Sequence, residues 1–145
     1  MKLLFVHQKL GEFGGAEANI RVTAGELQNH GYELALLHAE ETGRNQSEWH
    51  HLFSNHCCLP KTDTAKFTRA FLSQFNPQLI YLHHLADLDV LETLLQYGVP
   101  VVRMVHDHSL YCMRGYKYNY FTRHICKRPF SPFCHCPHVP FSGIS

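Results

Sequence analysis

The stretch KLLFVHQKLGEFGGAEANIRVTAGELQNHGYELALLH, Lys2 to His38, decides the fold class. KLLFVH, Lys2 to His7, is a short apolar run without helical spacing, as expected of a buried strand ended by a polar loop. From Gly14 to His30 the apolar positions shift to helical spacing, with Ala16, Ile20, Ala24 and Leu27 on one face and Gly31 placed as a C-terminal stop. YELALLH, Tyr32 to His38, is a second strand. Strand, glycine-bearing turn, helix and strand make a βαβ unit, whose crossover is expected to be right-handed.

The alternation continues downstream. Thr64 to Phe75 reads as a helix with Phe67, Phe71, Leu72 and Phe75 inward, stopped by Asn76-Pro77. LIYLH, Leu79 to His83, is a strand; Asp87 to Tyr97 is a helix ended by Gly98; VVRMVH, Val101 to His106, is a fourth strand. The polar, His-rich stretch from Ala39 to Lys61 reads as loop and short irregular pieces anchored by Leu52 and Phe53, with the adjacent Cys57 and Cys58 as packing residues. The fold class is therefore α/β, a Rossmann-like open parallel sheet with helices on both faces.

The chain has 145 residues, 45% of them apolar, enough for one domain with a core. No apolar run approaches the roughly 18 residues of a spanning helix, and MKLLFV is too short for a signal peptide, so a cytoplasmic location is expected. The net charge of +1 conceals an asymmetry: residues 1–107 carry 8 Lys/Arg against 12 Asp/Glu, whereas residues 108–145 carry Arg114, Lys117, Arg123, Lys127 and Arg128 and no acid. This marks 1–107 as the α/β core and 108–145 as a basic, aromatic, Cys/His-rich irregular segment of the same domain. A basic segment suits an anionic ligand or peripheral contact with a membrane surface; a solvated loop is the plainer reading. No nucleic-acid-binding module is recognisable, so no nucleic-acid partner is expected.

All four strands finish in histidine, at His7, His38, His83 with His84, and His106. Ligands of open parallel sheets bind at the carboxyl ends of the strands, which makes these imidazoles site candidates, His106 and His83 or His84 foremost and His38 as a structural residue. With 13 histidines in the chain, some would stand at strand ends by chance. Gly14 and Gly15 open the first helix, where unpaired N–H groups and the positive dipole end favour an anion and a missing Cβ permits close approach. Tight packing of helix on sheet would account for either glycine equally well. Gly11, Gly14 and Gly15 form neither a dinucleotide fingerprint nor a P-loop, and no acid follows the second strand in the dinucleotide-binding role, which disfavours an NAD-dependent oxidoreductase.

GGAE at Gly14–Glu17, LIYLHH, the His106-Asp107 pair and CMRG at Cys112–Gly115, in this order, resemble the N-terminal domain of family 4 of the retaining glycosyltransferases, which have the GT-B fold. The resemblance runs from Lys2 to about Cys136 and is weakest between Ala39 and Lys61; Met113 stands where many relatives have proline. It implies the acceptor-binding half of a hexosyltransferase-type enzyme that uses a nucleotide-sugar donor and a sugar, polysaccharide or lipid-linked acceptor. It further implies His106 as the catalytic-site residue beside the transferred sugar, and Gly14 and Gly15 as the loop against the donor phosphate and sugar, with Glu17 in the first helical turn either oriented toward the cleft or capping locally. Asp107 follows in the same motif, on the acceptor side or ordering the loop, and the strand-end His7, His83 and His84, with Arg114, are placed on the acceptor side. Front-face attack assisted by the donor phosphate requires no protein nucleophile and no cofactor. The second GT-B domain is absent from these residues, so the isolated chain is expected to be inactive and to self-associate through exposed apolar surface.

Cys112, Cys126, Cys134 and Cys136, with histidines between and around them, also admit a structural zinc site, since zinc takes four nitrogen or sulfur ligands. Reduced cysteines buried in a loop rich in Tyr, Phe and Pro are the competing reading. The alternative function is accordingly a stand-alone Rossmann-like binding module carrying zinc.

Overall fold

The computed structural model describes residues 1–11, 14–108, 112, 117–119 and 123–127. The chain divides into two units, Met1–His106 and Asp107–Ser145. In the first, the elements are β1 (Lys2–Val6), β2 (Lys9–Leu10), α1 (Gly15–Asn29), β3 (Glu33–His38), β4 (Glu40–Glu41), α2 (Gln46–Leu52), β5 (Asn55–Cys58), α3 (Thr64–Phe75), β6 (Leu79–Leu82), α4 (Leu88–Gln96) and β7 (Val101–Arg103). In the second, β8 (Tyr118–Asn119) pairs antiparallel with β9 (His124–Ile125), closed by the Cys126 N–H donating to the Lys117 carbonyl at 2.6 Å. The C-terminal segment is thus not wholly irregular.

Five strands form one parallel sheet in the order β5-β3-β1-β6-β7. The chain starts at the centre, builds outward through β3 to β5, then returns to the other side of β1 with β6 and β7. The order therefore reverses beside β1, and the crevice above β1 and β6 is the topological switch point of this Rossmann-like sheet. The pairing register sets Val6 opposite Leu82, so His7 and His83, one residue further on, emerge side by side at that crevice.

Alternation along each strand sorts the apolar residues into two cores. Leu4, Val6, Ala35, Leu37, Ile80 and Leu82 face α3 and α4, meeting Leu72, Phe75, Val90 and Leu94. Leu3, Phe5, Leu34 and Leu36 face α1 and α2, meeting Ile20, Ala24, Trp49 and Phe53. The same parity carries His7, His38 and His83 onto the α1/α2 face, because each lies an even number of residues from Phe5, Leu36 or Tyr81. β1 is buried almost throughout, as a central parallel strand covered on both faces must be.

Four expectations are corrected. The stretch from Ala39 to Lys61 is not mainly loop: it holds β4, α2 and the sheet's edge strand β5. NHCC lacks a strand's apolar alternation because β5 pairs only with β3 and is half-exposed, whereas Trp49, Phe53 and Leu59 supply the local burial. Of the cysteine pair, Cys57 packs against the core, but Cys58 is exposed, its thiol 3.5 Å from the Ala39 carbonyl. On α1, Glu17 is buried where Ala16, only half-buried, was expected to pack. The strand expected to run from Val101 to His106 ends at Arg103, leaving His106 in the loop beyond β7. Among the described residues no helix is long and apolar enough to cross a membrane.

Candidate functional site

Three of the four strand-end positions converge. His7 follows β1, its N–H donating to the Leu37 carbonyl at 3.1 Å, and His83 follows β6, its N–H donating to the Val6 carbonyl at 2.9 Å. These bonds extend the ladder by one residue, so both imidazoles stand in fixed positions on the sheet edge. The ring centroids of His7 and His83 lie 6.1 Å apart at 83°, and that of His106 lies 5.1 Å from His83, stacked at 14°. His83 Nδ1 and His106 Nε2 are 2.8 Å apart and share a hydrogen bond. His7 and His83 are buried, whereas His106 is exposed.

Phe5 stacks on His83 at 5.6 Å and 12°, and Tyr81 meets it at 4.3 Å. Neither aromatic was a site candidate from sequence; the signal available was their place two residues before His7 and His83, on the same α1/α2 face. Enclosed this way, the His83 imidazole loses hydration of its charged form, and burial first, then the neighbouring His106 and His7, push its pKa from 6.5 to about 3. It is neutral near pH 7.

Glu17 joins the group from α1. Its Oε1 lies 2.9 Å from His7 Nε2, and its Oε2 accepts from the Gly14 N–H at 2.8 Å. Glu17 thereby occupies the third helical position and reaches back to the residue before the helix, the glutamate arm of a capping box; Gly14 has no side chain to supply the other arm. Burial pushes the Glu17 carboxyl up, but the bonds from His7 and from the Glu17 and Gly14 N–H groups outweigh it and hold it below the usual range. Burial lowers the pKa of His7 despite the opposing carboxylate. The His7–Glu17 contact is therefore a neutral imidazole donating Nε2–H to a carboxylate, not an ion pair. Glu17 both caps the helix and orients His7.

Neither usual structural reason for the glycine pair holds. Gly14 and Gly15 do not have positive φ, and among the described residues a Cβ on Gly15 would meet nothing within 4 Å, while one on Gly14 would meet only Glu17 Oε2 at 3.6 Å. Packing of helix on sheet does not demand them, and open space lies beside the first turn of α1. The glycine that the fold does require is Gly11: at φ +105 its Cβ would run into Thr42 Oγ1 and, at 2.6 Å, the Arg44 carbonyl. Gln8, next to His7, donates Nε2–H to Glu40 at 3.0 Å and accepts from the Ala86 N–H at 3.4 Å, tying the loop after β1 to those after β3 and β6.

His84 is exposed and contributes to the site only a repulsion that opposes charge on His7. His38 stands apart from the other three: it is fully buried, donates Nδ1–H to the Glu40 carbonyl at 3.2 Å and neighbours His56 at 6.0 Å, near the β5 edge. Asp107 is exposed and belongs to the second unit, and Arg114 lies outside the described residues. Of the cysteines proposed for zinc, Cys112 and Cys126 are half-buried, while Cys134 and Cys136 lie outside the described residues. Among the described residues no group of three or more His, Cys, Asp or Glu side chains is arranged to hold a metal ion.

No protein-family profile and no curated protein sequence matches the chain. The switch point offers one exposed imidazole, His106, braced by a buried neutral one, His83; a carboxylate, Glu17, already engaged on both oxygens; and an uncrowded helix N-terminus. This set can hydrogen-bond a polar ligand. It contains no nucleophile paired with an activating base of the kind covalent catalysis requires.

Proposed function

We propose that this chain is the acceptor-binding, Rossmann-like domain of a retaining glycosyltransferase that transfers a sugar from a nucleotide-sugar donor, with His106 facing the transferred sugar. The observation that carries this reading is the convergence of His7, His83 and His106 with the Gly14–Gly15 turn on one carboxyl edge of the sheet, at its topological switch point. Among the described residues a Cβ on Gly15 meets nothing and one on Gly14 meets only the Glu17 carboxylate, which leaves room for a diphosphate or sugar to approach the backbone. The motif order GGAE, LIYLHH, His106-Asp107 supports a sugar ligand over other polar ligands through its resemblance to family 4 enzymes. In this reading the acceptor is a sugar, polysaccharide or lipid-linked sugar, and the chemistry needs no cofactor.

The test is a titration of the isotopically labelled chain with uridine- and guanosine-diphosphate hexoses and with neutral oligosaccharides, followed by NMR. Binding should shift the Gly14, Gly15 and Glu17 amides and the His106 ring. His106→Ala should weaken that binding by about 3- to 10-fold, the contribution of one ordinary hydrogen bond. If none of these carbohydrates perturbs the switch-point signals, or if zinc alone does, the reading is wrong.

A further inference from the structure

We propose that His83 is a positioning residue that holds His106 in the Nδ1–H tautomer, so that the exposed nitrogen of His106 is a hydrogen-bond donor and has no lone pair with which to take a proton. What this means for a sugar ligand rests on the reading of His106 given above; the tautomer itself does not.

A shared hydrogen bond between two neutral imidazoles can run in either direction. At 2.8 Å, either His83 Nδ1–H donates to His106 Nε2, or His106 Nε2–H donates to His83 Nδ1. Each choice dictates where the second proton-bearing site falls, because a neutral imidazole carries one N–H. If His83 accepts at Nδ1, its own proton must sit on Nε2. That nitrogen is buried and, among the described residues, has no hydrogen-bond partner. Phe5 stacks on the ring and Tyr81 lies against it, neither offering an acceptor oxygen to that atom. A buried N–H without an acceptor is rarer and more costly than a bare ring nitrogen. The favoured arrangement leaves Nε2 of His83 bare and places its proton on Nδ1, pointing at His106.

His106 must then accept at Nε2 and carry its proton on Nδ1, on a ring that is exposed. The same rule operates next door, where Glu17 takes the Nε2–H of His7 and leaves the buried, unpartnered Nδ1 of His7 bare. Both buried imidazoles are thus locked in one tautomer by a single partner, and the direction of the His83 bond is passed on to the only exposed ring of the three. The site presents an N–H donor, which suits an acceptor such as a hydroxyl or carbonyl oxygen. It does not present a general base.

The test is long-range proton–nitrogen correlation NMR on the chain labelled with nitrogen-15 histidine, near pH 7.5 and without ligand. His106 should show Nδ1 in the protonated, pyrrole-type range and Nε2 in the bare, pyridine-type range, with His83 showing the same pattern. His106 protonated on Nε2 would overturn the proposal. In His83→Phe, which keeps an aromatic ring between Phe5 and Tyr81, His106 should shift toward the Nε2–H form that an unconstrained imidazole prefers. Retention of Nδ1–H in that variant, with Trp49 fluorescence unchanged, would also overturn it. Should the variant fail to fold, the wild-type spectrum alone decides. Because no ligand is added, the result is independent of whether a carbohydrate binds.

Discussion

Acidification between pH 7 and pH 4.5 should destabilise the first unit by an amount set mainly by His83. A histidine whose pKa falls from 6.5 to about 3 on folding binds its proton more readily when unfolded. Its stabilising contribution is complete above about pH 6.5 and is lost as pH falls toward 3. Linkage over this interval gives a loss of about 2.5 kcal/mol at pH 4.5. His7 and His38, both also lowered by burial, act in the same direction, and Glu17, held below its usual pKa, adds a loss at still lower pH. A domain stable by about 5–15 kcal/mol would give up a large part of its margin. The assay is urea unfolding followed by the fluorescence of Trp49, the single tryptophan, which is fully buried against Phe53. The midpoint should fall by about 1–2 M urea between pH 7 and pH 4.5. In His83→Phe most of that pH dependence should vanish. A midpoint that does not move with pH, or a variant that retains the full dependence, would refute the assignment of a buried neutral imidazole at the switch point.

Three further outcomes follow from the same geometry. Gly15→Ala should leave stability unchanged or raise it by up to about 1 kcal/mol, since its Cβ meets nothing and alanine favours the helix, while weakening any ligand that approaches the turn; thermal unfolding and ligand titration together check this. Gly11→Ala should cost about 2 kcal/mol or more, because a side chain there is both strained at φ +105 and driven into the Arg44 carbonyl, as denaturant unfolding would show. Glu17→Ala should cost about 1–3 kcal/mol by leaving the buried Nε2–H of His7 without an acceptor and uncapping Gly14, with the Gly14 amide exchanging faster with solvent.

Much of the framework was legible in the primary structure because it rests on local patterns. The short apolar runs and the stretches of helical spacing place β1, α1, β3, α3, β6 and α4 within a residue or two of their observed bounds, and α3 at its observed Thr64–Phe75. Gly31 and Gly98 stand at positive φ just beyond helices, as their positions as stops predicted. β5 was not legible, since an edge strand with one neighbour and a half-exposed face needs no apolar alternation. Nor was the division of labour among the glycines: adjacency drew attention to Gly14 and Gly15, while the conformational demand falls on Gly11, where the distant Thr42 and Arg44 crowd the backbone.

The candidate site divides in the same way. Histidine at the end of each expected strand, and glycine with glutamate in the first helical turn, are facts of sequence, and parallel-sheet logic alone points them at one edge. Which of them meet was decided by strand order and register. Placing β6 beside β1 makes His7 and His83 neighbours, β7 next to β6 delivers His106 to His83, and β3 on the opposite side of β1 carries His38 toward β5 and away. Long-range pairing also packs Phe5 and Tyr81 around His83 and so sets its neutral state and leaves it a single hydrogen-bond partner, His106, among the described residues. Residue types and their spacing along the chain are local quantities; burial, tautomer and partner depend on groups tens of residues apart, and only tertiary packing brings those together.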